Sequence, residues 1–358
     1  NLHMSSTDVI VENTGESFAC PSGTIILDAG LAAGLHMPHS CRGGACGTCK
    51  ALVVEGEVDH GWVMSFAITD EEKEQGYCLT CQSKPLSPTL RLRTVEPMRP
   101  KRAGEEVILP MELTAEVVAA ESVTPSIRRL VLALPRGTRF RFRPGMNLEF
   151  VAPGLSESRP YSIIDAPGAD GLAPDGQLSF FITRHPHGRC STWVHSLSVG
   201  DTVNVRGPYG EFGLPDAGDR PVLALAGGSG LSPILSVIGK ALAEGHKRRI
   251  ELLFSVRDRR ELFALDVLAR LAHRHENFSY RVTLTRDDAA PPPWLRGRIP
   301  LLLTREARNL SEHVVLVAGS PAFVDDCVAA ALASNAAADR IVTDSFLPRT
   351  ASVASPSG

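Results

Sequence analysis

The chain has 358 residues, of which 43% are hydrophobic and 22% charged, and its formal net charge is −3. Such a composition is typical of a globular protein with two or three domains, and the charge gives a nucleic-acid partner no electrostatic support. No leader-like apolar segment opens the sequence, and the longest uncharged stretch, 221–239, is interrupted by glycines and Pro233, so we expect a cytoplasmic protein with no membrane partner.

Residues 5–96 form the first predicted domain, a small β-grasp fold of short strands and one helix. An alternating strand is expected at 9–11, a helix from a cap at Thr24 to about Leu35, and a further strand at 50–54. The segment carries 12 acidic and 6 basic side chains. It therefore predicts an acidic surface that can steer docking onto a basic partner.

The loop after this helix carries three cysteines, Cys41, Cys46 and Cys49, and Cys81 follows 32 residues later. Glycines fill the gaps and allow the backbone to turn tightly, with its N–H groups near the sulfurs. The spacing C-x4-C-x2-C with a distant fourth cysteine is that of plant-type 2Fe–2S ferredoxins. The sequence therefore predicts a one-electron carrier with these four ligands, and Cys78 as a buried neighbour.

A zinc site is the alternative for the same cysteines. Cys46-x2-Cys49 and Cys78-x2-Cys81 match the two knuckles of a zinc ribbon, which would make the chain a zinc-stabilised nucleotide-binding module without turnover. That hypothesis leaves Cys41 and the glycine-rich loop without a purpose. The two hypotheses predict opposite results for Cys78→Ser, since the cluster would be retained and the zinc lost.

The rest of the chain divides by pattern into four segments. Residues 97–110 are polar, with proline and glycine, and predict a linker. Short strands with frequent turns over 111–214 indicate an antiparallel β-barrel, whereas alternating strands and helices over 218–347 indicate a parallel sheet. The Ser/Pro/Ala-rich residues 348–358 predict a disordered tail. The fold class is therefore multidomain α+β and α/β.

Two motifs in the predicted barrel suit a flavin. In Arg159-Pro-Tyr161-Ser162 the Arg can bind phosphate, the Tyr ring can stack on a flat ring system, and the Ser hydroxyl can bond a ring nitrogen. Further along, Gly188 precedes a predicted helix start, where free N–H groups and the helix dipole favour phosphate. The residues of that start are Cys190, Ser191 and Thr192.

Two glycine turns follow predicted strands of the parallel sheet. After the strand at 222–226 come Gly227, Gly228, Ser229 and Gly230, and then a helix at 233–243. This order of strand, glycine turn and helix forms a phosphate cradle, although it lacks both the G-x-G-x-x-G fingerprint and a P-loop lysine. A second turn, Gly319-Ser320-Pro321, follows the strand at 313–318.

The choice of nicotinamide nucleotide depends on the residues after the strand expected at 250–256, where a helix is expected at 261–273. Asp258 and Glu261 could bond the ribose hydroxyls and so favour NADH. Ser255, Arg257 and Arg259 would instead accommodate the 2′-phosphate of NADPH.

In this order the motifs resemble the reductase components of bacterial ring-hydroxylating oxygenases. These belong to the ferredoxin–NADP reductase superfamily and carry a plant-type ferredoxin in front, as in the naphthalene and benzoate dioxygenase reductases. The resemblance covers about residues 8–347. One position departs from it, because the family usually has Cys where this chain has Ala318, before Gly319-Ser320-Pro321.

The resemblance implies a role for each motif. The cluster ligands would be Cys41, Cys46, Cys49 and Cys81. The flavin would be held by Arg159, Tyr161 and Ser162, with Gly188, Cys190, Ser191 and Thr192 at its phosphates. The nicotinamide nucleotide would lie against Gly227, Gly228, Ser229 and Gly230, with Gly319, Ser320 and Pro321 near its nicotinamide half. Phe346 would cover the flavin ring, and Ser162 and Phe346 would act at the reacting atoms.

The implied function is electron transfer from NADH, through FAD and the 2Fe–2S cluster, to a Rieske-type aromatic oxygenase. FMN is the alternative flavin, because the phosphate motifs reveal no adenosine pocket, and NADPH is the alternative donor. The alternative acceptors are a haem or di-iron monooxygenase and a deoxysugar dehydrase, since no motif marks the docking surface.

Overall fold

The computed structural model describes residues 6–99, 106–154, 158–215 and 219–346. The predicted tail at 348–358 and part of the predicted linker lie outside the described residues. The chain divides into two compact units, one formed by the chain up to Pro110 and the other by Met111–Phe346.

The first unit is built on a five-stranded sheet of order β2-β1-β7-β3-β5. The strands of this sheet are β1 (Ser6–Val11), β2 (Glu16–Pro21), β3 (Lys50–Glu55), β5 (Tyr77–Leu79) and β7 (Thr89–Thr94). Two short strands, β4 (Val58–Asp59) and β6 (Lys84–Pro85), pair with each other in a separate sheet. The helices of the unit are α1 (Ile26–Ala32) and α2 (Asp70–Glu74). Strands β1 and β7 are parallel and the other pairs of this sheet antiparallel, which agrees with the predicted β-grasp fold.

The prediction of a helix from Thr24 to about Leu35 is wrong at both ends. The side chain of Thr24 caps nothing in the helix, which begins at Ile26 with Ile25 as its uncapped N-cap residue. The helix ends at Ala32, because Gly34 takes the left-handed conformation with φ = 80°.

The second unit begins with a six-stranded antiparallel sheet of order β11-β10-β13-β8-β9-β12. Its strands are β8 (Met111–Ser122), β9 (Ile127–Ala133), β10 (Asn147–Val151), β11 (Ser158–Ser162), β12 (Gln177–Thr183) and β13 (Thr202–Tyr209), and helix α3 spans Arg189–Ser196. The Ile164 N–H donates to Ser179 O at 2.9 Å. This bond brings the chain after β11 onto β12 and closes the sheet into the expected barrel.

The remainder of this unit is a parallel sheet of order β17-β16-β15-β14-β18-β19. Its strands are β14 (Val222–Gly227), β15 (Ile250–Val256), β16 (Phe278–Leu284), β17 (Leu295–Arg296), β18 (Val314–Gly319) and β19 (Ile341–Ser345). Its helices are α4 (Leu231–Ala243), α5 (Leu265–Arg274), α6 (Ile299–Arg305) and α7 (Pro321–Ala333). Strand β14 is buried on both faces, since Ala224 packs in one apolar cluster and Leu225 in another.

The helix predicted over 261–273 begins four residues later, at Leu265. The carboxylate of Asp258 accepts the Arg260 N–H and caps a single 3₁₀ turn, Arg259–Glu261, in front of the helix. Ala264 then takes a left-handed conformation with φ = 57°, which separates the turn from α5. Glu261 is therefore a turn residue and not part of the helix.

Candidate functional site

The four predicted cluster ligands meet around one loop of the first unit. Left-handed conformations at Arg42, Gly44 and Gly47 curl the loop, and Gly44 lies so close to the backbone that a Cβ there would be 2.8 Å from Trp62 O. The Gly43 N–H donates to Cys41 Sγ at 3.3 Å. The Arg42 guanidinium is paired with Asp28 of α1 at 2.8 Å, which anchors the loop.

The sulfurs are arranged as two pairs. A hydrogen bond with Cys46, followed by bonds from backbone N–H groups of the loop, lowers the pKa of Cys41 to about 5. A hydrogen bond with Cys49 and burial raise the pKa of Cys81. Among the described residues, no three candidate ligand side chains surround a single ion position. Two thiols for each metal is the arrangement that a cluster of two irons requires, so the donor set fits a 2Fe–2S group.

Cys78 stands apart from these pairs. It lies on β5 opposite Ala51 of β3 and is fully buried. Burial raises the pKa of its thiol to about 12. Cys78 belongs to neither sulfur pair, whereas Cys81 is paired with Cys49, so the geometry favours Cys81 as the ligand and argues against the zinc ribbon.

One side of the cysteine loop is closer to solvent than the other. Cys49 and Cys81 are each 4% exposed, whereas Cys41 and Cys46 are partly exposed. The segment packed on the loop carries two aromatic side chains that are exposed, Trp62 at 58% and Phe66 at 72%. Apolar surface of this kind beside a redox group suits contact with another protein.

The flavin motif lies on β11, at the edge of the barrel. The ring of Tyr161 packs edge-on against Phe150, with 5.0 Å between the ring centroids, and its hydroxyl donates to Cys190 Sγ at 3.7 Å. The structure therefore brings Tyr161 next to the predicted phosphate segment. Arg159 lies two residues before Tyr161 on the same strand.

Helix α3 presents its N-terminus at this edge. Gly188 is the N-cap residue, and its carbonyl accepts the Thr192 N–H at 3.0 Å. A Cβ on Gly188 would lie 2.6 Å from Ser191 Oγ, so a side chain there would displace the Ser191 hydroxyl. The Ser191 hydroxyl accepts the His185 N–H and donates to Gly188 O, which leaves the N–H groups of the first helical turn to bind a phosphate.

The first glycine turn joins β14 to α4 and contacts the barrel. Gly228 is left-handed with φ = 53°, and a Cβ on Gly230 would lie 2.2 Å from Ala318 O. The Thr183 hydroxyl at the end of β12 donates to Ser229 Oγ at 2.9 Å. The predicted nucleotide loop therefore lies against the flavin-side barrel.

The second glycine turn lies at the start of α7. Ser320 caps α7 by accepting the Phe323 N–H at 3.4 Å, and Pro321 is the first residue of that helix. The Phe323 ring fills the space beside Gly227 and Gly319. Gly319 O accepts the Phe346 N–H at 2.8 Å, so the predicted flavin-covering residue is fixed next to this turn.

Asp344 is a site residue that sequence reasoning missed. Its carboxylate accepts a hydrogen bond of 3.4 Å from the Ser162 hydroxyl, and in β19 it pairs with Ala318. Although the residue as a whole is partly exposed, its carboxyl group is enclosed, and this burial raises its pKa to about 6. Its only sequence signal is its position two residues before Phe346.

The acidic residues predicted at the ribose are already engaged. The Asp258 carboxylate pairs with Arg260 at 3.0 Å, and Glu261 accepts bonds from the Thr124 and Ser126 hydroxyls. Arg259 pairs with Asp287 at 2.7 Å.

The four histidines near the motifs have local partners or face solvent. His36 lies 3.0 Å from the Arg99 guanidinium, and His39 Nδ1 lies 2.7 Å from Met37 O. His185 and His187 are exposed, and desolvation of the His185 imidazole lowers its pKa.

The family models that match this chain cover three successive segments, which correspond to the cluster-binding unit, the barrel and the parallel sheet. The chain matches the 2Fe-2S iron-sulfur cluster binding domain over residues 9–86, the oxidoreductase FAD-binding domain over 114–213 and the oxidoreductase NAD-binding domain over 224–329. No helix within the described residues has the length and hydrophobicity to cross a bilayer.

Curated relatives align over most of the chain. The reductase subunit of an aromatic O-demethylase of Amycolatopsis sp. is 33% identical, over 80% of this chain and 82% of that protein. The electron transfer component of toluate 1,2-dioxygenase of Pseudomonas putida is 30% identical, over 89% of each. The crystal structure of an Amycolatopsis cytochrome P450 reductase superposes with a TM-score of 0.85 at 29% identity, covering 96% of this chain and 99% of that one.

Proposed function

Because the chain belongs to the family of oxygenase reductase components with 2Fe-2S, FAD-binding and NAD-binding domains, we propose that it delivers electrons from NADH to the terminal oxygenase of a multicomponent system. It is an oxidoreductase, and its partner is a separate oxygenase component.

The observation that carries this function is the Ser162–Asp344 hydrogen bond. It brings the flavin motif on β11 to the carboxyl edge of the parallel sheet, where such sheets bind nucleotides. Ala318 and Gly319 lie at the same edge, and Phe346 is bonded to Gly319. A flavin and a nicotinamide can therefore meet there.

When bound, FAD takes up a hydride and releases electrons singly, and a 2Fe–2S cluster carries one electron at a time. The residues of the chain would hold and orient these cofactors. Arg159, Tyr161 and the N-terminus of α3 would hold the flavin, and the glycine turn before α4 would hold the nucleotide pyrophosphate. Asp344 Oδ2 accepts a hydrogen bond from the Ser162 hydroxyl when ionised and can donate one when protonated, so it controls whether the Ser162 O–H can donate to a ring nitrogen.

The cluster would be held by Cys41, Cys46, Cys49 and Cys81, and the partly exposed side of the loop is the proposed exit. The segment that carries Trp62 and Phe66 is strongly acidic. Residues 55–75 include seven Asp or Glu and one Lys. We infer that the oxygenase docks there through an apolar patch with a basic rim.

NADH is the proposed donor and FAD the proposed flavin. The match to the FAD-binding domain supports FAD over FMN. For NADH the support is Asp258, a carboxylate two residues after β15 that pairs with Arg260. Comparing the kcat/KM values for NADH and NADPH tests this choice.

For the client we propose a Rieske-type aromatic oxygenase, and a haem monooxygenase is the second candidate. The relative that serves toluate 1,2-dioxygenase supports the first, and the structural likeness to a cytochrome P450 reductase favours the second. The chain has eight cysteines, four of them spaced as cluster ligands, and this usage suits a reducing compartment, so we propose a cytoplasmic location. Turnover of each purified oxygenase class with this chain and NADH would decide the client.

The first experiment is a visible absorption spectrum of the purified protein, taken before and after anaerobic addition of NADH. We expect a flavin band overlaid with broad iron–sulfur absorbance, and both should bleach. A colourless protein that contains zinc would overturn the proposal.

A further inference from the structure

We propose that Glu261 is a positioning residue that fastens the flavin barrel to the nucleotide-binding sheet and so sets the distance over which the hydride moves. The proposal rests on the proposed function. It assigns Glu261 a role different from the ribose contact that the sequence suggested.

The first step is the contact itself. Glu261 Oε2 accepts two hydroxyl protons, from Thr124 Oγ1 at 3.0 Å and from Ser126 Oγ at 2.6 Å. Both hydroxyls belong to the turn between β8 and β9 of the barrel, whereas Glu261 follows β15 of the parallel sheet. A single carboxylate oxygen therefore ties the two layers together.

The direction of these bonds is fixed by the turn. Thr124 Oγ1 accepts the N–H groups of Ser126 at 3.2 Å and Ile127 at 2.9 Å. Its lone pairs are thereby used, and its proton remains for Glu261. Because Thr124 is 7% exposed, water competes poorly for that proton. The contact therefore requires an acceptor at position 261, which Glu or Gln supplies and Ala does not.

The tethered turn leads to the nucleotide loop. Ser126 O accepts the Arg184 N–H at 2.8 Å. The preceding residue, Thr183, donates to Ser229 Oγ of the glycine turn. Three hydrogen bonds, linked by the backbone of Ser126 and of residues 183–184, therefore connect Glu261 through the barrel to the loop that would bind the pyrophosphate.

An apolar contact lies beside this polar one. The ring of Phe263, two residues after Glu261, packs edge-on against Phe181 of the barrel and Phe254 of β15, with centroid distances of 4.9 and 5.3 Å. Phe263 is 4% exposed. The segment 261–263 therefore joins barrel and sheet through a carboxylate and an aromatic ring, and we call this contact the seam.

Position across this seam matters because hydride transfer needs reacting atoms about 3–3.5 Å apart, and a displacement of about 1 Å can cost about 10²-fold in rate. A loosened seam would slow the hydride step while the nucleotide still binds. A lost ribose contact would instead raise the KM. The two roles of Glu261 are thus separable by kinetics.

The test uses the holoprotein with Glu261→Ala and Glu261→Gln, measured as NADH-dependent ferricyanide reduction. For Glu261→Ala we expect kcat to fall about tenfold, the KM for NADH to change less than about twofold, and the isotope effect on kcat with NADH deuterated at the transferred position to rise. Glu261→Gln should keep most of the rate, since its amide oxygen still accepts both protons. The exposed Glu312, replaced as Glu312→Ala, is the matched control and should have no effect.

The barrel side gives an independent measurement. Ser126→Ala removes one of the two bonds and should lower kcat in the same direction, and it should add little in the background of Glu261→Ala. If Glu261→Ala fails to retain FAD, the Ser126→Ala variant carries the test. Wild-type ferricyanide reduction tests the proposed function separately, because it needs no variant.

Three results would overturn the proposal. They are a raised KM for NADH with unchanged kcat, a gain of NADPH activity in Glu261→Gln, and unchanged kinetics in both Glu261→Ala and Ser126→Ala. The first two would make Glu261 a ribose contact, and the third would make the seam irrelevant to hydride transfer.

Discussion

The Ser162 hydroxyl donates a 3.4 Å hydrogen bond to Asp344 Oδ2, across 182 residues of sequence. This bond joins the last residue of β11 to the last strand of the parallel sheet. Asp344 is thereby the carboxyl group that controls the hydroxyl assigned to the flavin ring. Its pKa, raised to about 6 by burial, lies within the range in which enzymes are assayed.

A pH dependence follows from this pair. Below pH 6 the protonated Asp344 donates a hydrogen bond to Ser162 Oγ and leaves the serine O–H free to donate to a ring nitrogen. Above pH 6 the carboxylate accepts the hydrogen bond of that O–H. We therefore expect the kcat of ferricyanide reduction to fall as pH rises through about 6. Asp344→Asn should remove this inflection. A profile that keeps the inflection in the variant would show that another group titrates.

The same raised pKa predicts a change in stability. The folded state binds the proton more tightly than the unfolded state, so the stability contributed by the protonated carboxyl is lost as pH rises through about 6. Melting temperatures of the wild type and Asp344→Asn, compared at pH 5 and pH 8, measure this. The variant should lose less stability than the wild type over that range, and equal losses would contradict the assignment.

The cluster assignment predicts opposite results for two neighbouring cysteines. Cys81→Ser should abolish the iron–sulfur absorbance, yet leave NADH-dependent ferricyanide reduction, a flavin-level activity, within about twofold. Cys78→Ser should keep the cluster, because its buried thiol belongs to neither sulfur pair. Iron content and the visible spectrum measure both. Loss of ferricyanide activity together with the cluster would contradict the electron order.

The close approach of Gly230 to Ala318 predicts a strong effect of one methyl group. In Gly230→Ala the new Cβ would lie 2.2 Å from a backbone oxygen, so the start of α4 must shift, at a cost of about 1–3 kcal/mol. We expect a lower melting temperature and a raised KM for NADH. Gly239→Ala, on the same helix and with only a 3.5 Å contact to Ala166, is the control and should be neutral or stabilising. Equal behaviour of the two variants would rule out the steric explanation.

The proposed docking face predicts a selective loss. Trp62→Ala combined with Phe66→Ala should slow transfer to the oxygenase about tenfold, as expected for removal of buried aromatic anchors, while NADH reduction of flavin and cluster stays unchanged. Transfer should also weaken with added salt, since the surrounding residues are acidic. Val199→Ala, at an exposed residue of the second unit, is the control. Unchanged oxygenase turnover in the double variant would place the docking face elsewhere.

Most of the fold followed from local patterns. The strand Ile250–Val256 has the predicted bounds, because its apolar run ends at turn residues that are adjacent in sequence. Helix starts were predicted less well, at Ile26 and at Leu265, since a cap depends on which side chain reaches a particular N–H group.

The sequence by itself determined the cluster loop and the glycine turns, because three cysteines within nine residues and a glycine between a strand and a helix are constrained by their immediate neighbours. The tertiary structure alone decided that the thiols pair as Cys41 with Cys46 and Cys49 with Cys81, that Ser162 has Asp344 as its partner, and that Glu261 binds Thr124 and Ser126. These last partners lie more than 100 residues from one another along the chain. Only the packing of barrel against sheet brings such groups within hydrogen-bonding distance, and no local pattern encodes that packing.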